Sequence, residues 1–229
     1  LLSFTVIPIF TSLYLSFTQY TILAPARFIG FENYVRMFTD SKFISSLIVT
    51  FNFVFFSVPL QLAFALFIAM LLNKGISGLR VYRAVYYLPS LLGGSVAISI
   101  LWRQIFNKEG LVNIILNKFG IEGINWIATP STALYTIILL SVWQFGSSML
   151  IFLAALKQVP AELYEAAEID GAGAPRKFVN ITFPMITPMV FFNIVMQVIN
   201  AFQSFNSAYI ISGGSGGPLD STLLYSLYL

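Results

Sequence analysis

The feature that most constrains this chain is the alternation of long apolar runs with short polar loops. Six runs stand out, at about 1–17, 43–72, 84–106, 132–156, 181–205 and 221–229. A hydrophobic stretch of roughly 20 residues spans a bilayer as a helix. Inside lipid every backbone polar group must be satisfied within the protein, so only helices and closed barrels cross it. A barrel would show roughly ten-residue segments of alternating polarity, a pattern this sequence lacks. The spacing therefore predicts an all-α polytopic membrane protein with about six transmembrane helices. The first and last runs fall short of a span, and both are expected to be truncated. The opening run has no small-residue cleavage site, which argues against a removed signal peptide. No internal repeat interrupts the series, so residues 1–229 are expected to form a single transmembrane domain.

Composition narrows the functions open to such a chain. It is 58% hydrophobic and 9% charged, whereas a soluble domain carries about 25% charged residues. There is no Cys and no His. Disulfides, thiolate chemistry, His–metal sites and His general bases are excluded with them. No phosphate-binding loop of the Walker type is present, so the chain is not expected to hydrolyse ATP or to act as an enzyme. The cations are scattered, which argues against nucleic-acid binding. They divide evenly between the two sides: Lys74, Arg80, Arg83, Lys157, Arg176 and Lys177 on one, and Arg27, Arg36, Lys42, Arg103, Lys108 and Lys118 on the other. The first set lies in shorter loops, and the positive-inside rule leans towards that side being cytoplasmic.

The loop 157–180 holds four of the nine acids, Glu162, Glu165, Glu168 and Asp170. Pro160 suits the first turn of a helix, where its missing N–H costs nothing. Residues 161–169 are strong helix formers, with acids near the positive end of the helix dipole. Gly171 and Gly173 let the chain turn, and Pro175 opens a second short helix. The predicted result is a helix–turn–helix along the membrane surface. An ordinary interfacial amphipathic helix would also satisfy this local pattern.

The spacing is more specific than that. It runs Glu165-Ala166-Ala167, three residues, Gly171, nine residues, Ile181-x-x-Pro184. This resembles the EAA loop of permease subunits in binding-protein-dependent ABC importers. Val159-Pro160-Ala161-Glu162-Leu163-Tyr164, Ile169-Asp170-Gly171-Ala172, Tyr87-Leu88-Pro89, Trp102 and Gly110-x-x-Asn113 are similar to the carbohydrate-uptake branch, the maltose and glycerol-phosphate type. The likeness covers nearly the whole chain. Phe183 departs from it, standing where the family usually has Leu. The resemblance implies that Glu165, Ala166, Ala167, Asp170 and Gly171 couple the chain to a cytoplasmic ATPase dimer. It also implies a second permease, most simply a heterodimer, and an extracytoplasmic solute-binding protein. ATP and Mg would be bound by the ATPase and no cofactor by this chain. Surrounded by membrane lipid, the protein would sit as a multi-pass component of a bacterial or archaeal cytoplasmic membrane.

Polar residues inside the spans are the candidates for a solute path, because they are costly in lipid. Asn193, Gln197, Asn200 and Ser204 follow i, i+4, i+7, i+11 and share one face of the fifth run. Gln144, with Ser141, Ser147 and Ser148, lies in the fourth, and Asn52 and Gln61 in the second. Two readings stand side by side. These amides can hydrogen-bond across helices, contributing about 1 kcal/mol each, or they can line a path for a polyhydroxyl solute. Trp102 and Trp126 are expected to be interfacial anchors. An importer of another solute class is the alternative within transport, since the EAA loop is shared across classes. A secondary transporter is the alternative outside it, although no acid lies in the middle of a span.

Overall fold

The computed structural model describes residues 2–21, 24–75 and 78–229. Leu1 of the first run and residues 76–77 of the loop 73–83 fall outside them. The described chain forms two compact units, 1–45 and 46–229.

In the first unit a π-helical turn, Leu2–Val6, leads into α1 (Ile7–Ser16). The expectation of a purely helical chain then needs a correction. Strands β1 (Thr18–Thr21) and β2 (Ala24–Phe28) pair antiparallel, with Thr18 opposite Phe28 and Gln19 opposite Arg27. Thr, Tyr and Phe favour a pleated surface, and a two-stranded ribbon has only edges, where Pro25 is tolerated. Helix α2 (Glu32–Thr39) follows in what the sequence suggests is loop. Asn33 Nδ2 donates to the carbonyls of Ser16 and Thr18, both at 2.9 Å, and so fastens α2 to the end of α1.

Helix α3 (Ser41–Asn73) begins in the first unit and continues through the second. At 33 residues it is about 50 Å long, enough to cross a bilayer with tilt. The third run is not one helix. It is α4 (Leu79–Leu92) and α5 (Val96–Ile105), bent by 96°. Gly93 and Gly94 at the break weaken helix continuation, and Ser95 restarts it by accepting from Ile98 N–H at 3.3 Å. After α6 (Leu111–Lys118), inside the expected loop 107–131, the fourth run also divides. It forms α7 (Pro130–Trp143) and α8 (Gly146–Leu156), bent by 43°.

Helix α9 (Ala161–Ile169) is followed by a left-handed Gly171, at φ +73°, and by α10 (Ala174–Lys177). A π-helical turn, Phe178–Thr182, joins α10 to α11 (Phe183–Phe202). The span Ala174–Phe202 is thus 29 residues long and starts seven residues before the expected 181. Helices α12 (Asn206–Ser212) and α13 (Tyr225–Tyr228) complete the chain. Among the described residues, two helices are long and apolar enough to cross a membrane, or up to four if each bent pair is one span.

The core of the second unit packs α3, α8 and α11 through Ala65, Ala69, Met149, Phe152 and Ile186, all buried. Small residues let the backbones approach. A Cβ on Gly146 would stand 2.2 Å from the Tyr86 carbonyl oxygen, so glycine there permits the packing of α4 on α8.

Candidate functional site

Three helix breaks meet at one cavity. Gly94 at the α4–α5 break, Gln144 between α7 and α8, and Gln203 to Phe205 between α11 and α12 all line a space of about 340 Å³. A break leaves backbone groups without their helical partners, and this site shows how they are satisfied. Gln61 Nε2 on α3 donates to the Gln144 carbonyl at 3.1 Å. Gln144 Nε2 turns back to the Leu140 carbonyl at 3.2 Å. The aliphatic part of Gln144 lies against Gly93, where an added Cβ would come within 2.1 Å of Gln144 Cδ. The two breaks therefore touch through the Gln144 side chain, which a side chain at position 93 would displace.

Four of the five sequence candidates converge here. Gln144, Gln197, Asn200 and Ser204 line the cavity. Asn193 does not: it is 1% exposed and its Nδ2 donates to the Met189 carbonyl of its own helix, at 3.1 Å. Gln197 Nε2 donates to Ser148 Oγ at 2.9 Å, an interhelical bond between α11 and α8. Both readings of these amides thus hold at once: they tie helices together and face the space. Sequence reasoning missed Ser57, Ser90 and Gly94. Phe53, Ser57 and Gln61 recur every fourth residue on α3, a periodicity that could have found the first. Ser57 Oγ is buried and has no hydrogen-bond partner among the described residues. None of the described lining residues is charged. Amides and hydroxyls, with Phe53 and Phe205 beside them, suit hydroxyl groups and the apolar face of a sugar ring.

The two tryptophans expected as interfacial anchors are half-buried, and each donates a hydrogen bond within the protein. Trp102 Nε1 donates to the Thr136 carbonyl at 2.9 Å, and Trp126 Nε1 to Asn113 Oδ1 at 2.8 Å. Asn113 Nδ2 in turn reaches the carbonyls of Lys108, at 2.9 Å, and Ile124, at 2.7 Å.

The segment 157–180 presents a different surface. Helix α9 buries none of its residues. Glu165, Ala166, Asp170 and Gly171 are exposed and Ala167 is half-buried. Ile169 is 88% exposed. Two side chains hold this helix to the span that follows. Tyr164 Oη and Thr182 Oγ1 are 2.8 Å apart, and Lys177 Nζ bonds Glu168 Oε1. That bond and the Lys177 charge hold the Glu168 carboxyl below its ordinary pKa. Asp170 also borders a small cavity with Ala167, Arg176 and Lys177.

Comparison with known proteins decides the family. The family described as binding-protein-dependent transport system inner membrane component matches residues 38–228. The chain belongs to it. The permease is 56% identical to the probable ABC transporter permease protein YesP of Bacillus subtilis, over 100% of this chain and 74% of that protein. It is 33% identical to the trehalose/maltose transport system permease protein MalF of Thermococcus litoralis, over 99% of this chain and 77% of that protein. In fold it is similar to a chain in the crystal structure of a bacterial alginate ABC transporter in complex with an alginate pentasaccharide-bound periplasmic protein. That match has a TM-score of 0.82 at 21% identity, over 99% of this chain and 76% of the other. The permease is accordingly an inner-membrane transport component rather than a catalytic enzyme.

Proposed function

We propose that this permease forms half of the translocation pathway of an ATP-driven importer of sugars or oligosaccharides. The observation that carries this reading is the uncharged, amide- and hydroxyl-lined cavity at the three helix breaks. Broken helices at a solute site are a recurring solution in transporters, because irregular backbone is tolerated in a membrane only where it lines a cavity or is buried in protein. Gln144, Gln197, Asn200 and Ser204 contact the solute in passage, while Asn193 holds the helix in place. The second half of the path comes from another permease, most simply a different chain, and solute is delivered by an extracytoplasmic binding protein.

Coupling is assigned to α9. Its exposed outer face, with Glu165, Ala166 and Ile169, is a surface that needs a partner, and we assign it to one ATPase of a dimer, which binds ATP and Mg. The cytoplasmic side then carries residues 157–180. Six spans follow if α1 and the α13 end each belong to one, in the cytoplasmic membrane of a bacterium or archaeon.

The test is to purify the full-length tagged chain from its native membrane and identify what accompanies it. The assembled complex is then reconstituted in liposomes with the binding protein. ATP-dependent uptake of an oligosaccharide is expected. A chain that retains no ATPase in a detergent that preserves complexes, and that moves solute down an ion gradient, would replace this reading with a secondary transporter.

A further inference from the structure

The first two turns of α4 carry cations, Arg80 and Arg83, that neither the cavity nor the proposed coupling face uses. Arg80 and Arg83 line a separate cavity of about 560 Å³ with Lys157, at the C-terminal end of α8. Gly78, Leu79 and Val81 complete its wall, and no acid lines it among the described residues. None of the three cations takes part in either described salt bridge. Arg83 is half-buried, and its buried Nε has no hydrogen-bond partner among the described residues. An unmade hydrogen bond on a buried charged group is costly, so a bound acceptor would be strongly favoured. The start of α4 adds the positive end of its helix dipole.

The occupant is decided by what continues from the cluster. Val81, in the cavity wall, begins a row with Val85, Leu88 and Leu92, all of them exposed. Their spacing, i, i+4, i+7, i+11, puts them on one side of α4. A strip of apolar side chains thus runs away from a pocket of unpaired positive charge. A free phosphate would use the pocket and leave the strip bare. An acidic protein surface would likewise match only the charges. An amphiphile with an anionic head matches both.

We propose that Arg80, Arg83 and Lys157 bind the phosphate of an anionic diacyl phospholipid, with an acyl chain lying along Val81, Val85, Leu88 and Leu92. The site needs only that the chain is a membrane protein, and it stands apart from the sugar path.

The assembled importer is purified in mild detergent and titrated with dioleoyl-phosphatidylglycerol against dioleoyl-phosphatidylcholine, and bound lipid is counted by native mass spectrometry. Wild type is expected to retain phosphatidylglycerol selectively. Arg80→Gln/Lys157→Gln, both at exposed positions, is expected to weaken retention by about thirtyfold, as for two cations near a surface. Val85→Ser/Leu88→Ser is expected to weaken it as well, and Lys118→Gln, at the end of α6, to leave it unchanged. Retention within twofold of wild type in the Arg80/Lys157 variant overturns the proposal. So does displacement of the lipid by millimolar inorganic phosphate, which would make this a free-phosphate site. Loss of the ATPase from that variant with lipid retention intact would make the cluster a protein interface and overturn it too.

Discussion

The cavity wall and the segment 157–180 use polar residues in opposite ways. Around the cavity three amides are committed: Gln61 holds the Gln144 carbonyl, Gln144 the Leu140 carbonyl and Gln197 Ser148. The wall is preorganised by packing and by bonds that exist before any solute arrives. On α9 the acids Glu162 and Glu165 are exposed, and no residue of the helix is buried. A short helix without a buried face is marginal alone. Here it is held by the tethers Tyr164–Thr182 and Lys177–Glu168. The contrast is between a wall held largely by its own hydrogen bonds, with Ser57 Oγ left over, and a short helix whose outer face is left open. Both regions meet in one element, because Thr182 lies within the span Ala174–Phe202, whose far end carries Gln197 and Asn200.

The largest effect should come from the unfinished face. Glu165→Lys reverses a charge at an exposed position and should leave folding and membrane level unchanged. Uptake in reconstituted complex is expected to fall by about thirtyfold or more, as for a hot spot at a protein interface, with ATPase lost on purification. Normal uptake with the ATPase at wild-type stoichiometry would break the contrast, because α9 would then be an ordinary surface helix.

Next comes the committed wall. Gln197→Leu removes the bond to Ser148 and one amide from the cavity. An interhelical bond of this kind contributes about 0.6 kcal/mol, so thermal stability should hardly change. Uptake is expected to fall by about tenfold, because a path built to hydrogen-bond hydroxyls loses a donor. A variant that loses membrane level and keeps uptake per molecule would show that Gln197 is structural only.

The helix–turn–helix of residues 157–180 is far more legible in the sequence than the cavity. Proline at position 160, acids in the first turns and glycine at 171 each act locally, and local rules are what a sequence displays. The cavity depends on where helices break. Gly93-Gly94 is a visible signal, and Gly146-Ser147-Ser148 follows the break at Gln144, but that break is stabilised by Gln61, 83 residues away along the chain. Such a partner cannot be read from periodicity. Helical spacing likewise put Asn193 with Gln197 and Asn200, yet packing against its own helix removes it from the cavity. The hairpin β1–β2 escaped because its strands are only four and five residues long and the second contains Pro25, which reads as loop.

A smaller effect tests the junction between the regions. Tyr164→Phe deletes the hydroxyl that meets Thr182 Oγ1 and keeps the ring. A single hydrogen bond contributes about 1 kcal/mol, which corresponds to about a fivefold shift in a linked equilibrium. Solute imported per ATP hydrolysed is therefore expected to drop by about fivefold, with ATPase still bound. An unchanged ratio would mean that α9 moves the span through its backbone alone.

The smallest effect belongs to the second tether, and its sign follows from charge. The hydrogen bond to Lys177, and then the Lys177 charge, lower the Glu168 pKa from an ordinary 4.5. A carboxyl whose folded pKa is depressed stabilises the folded arrangement above its unfolded value, and that contribution fades as pH falls through the folded value. The tether is thus complete from about pH 7 down to about pH 5 and weakens only below the ordinary carboxylate range. Glu168 is exposed, so solvent screens the pair. Glu168→Gln should lower uptake by about twofold at most, and high salt should reproduce that loss in wild type but not in the variant. If the variant instead matched Glu165→Lys in severity, Glu168 would belong to the face that meets the ATPase, and the division of α9 into a tethered side and a free side would fail.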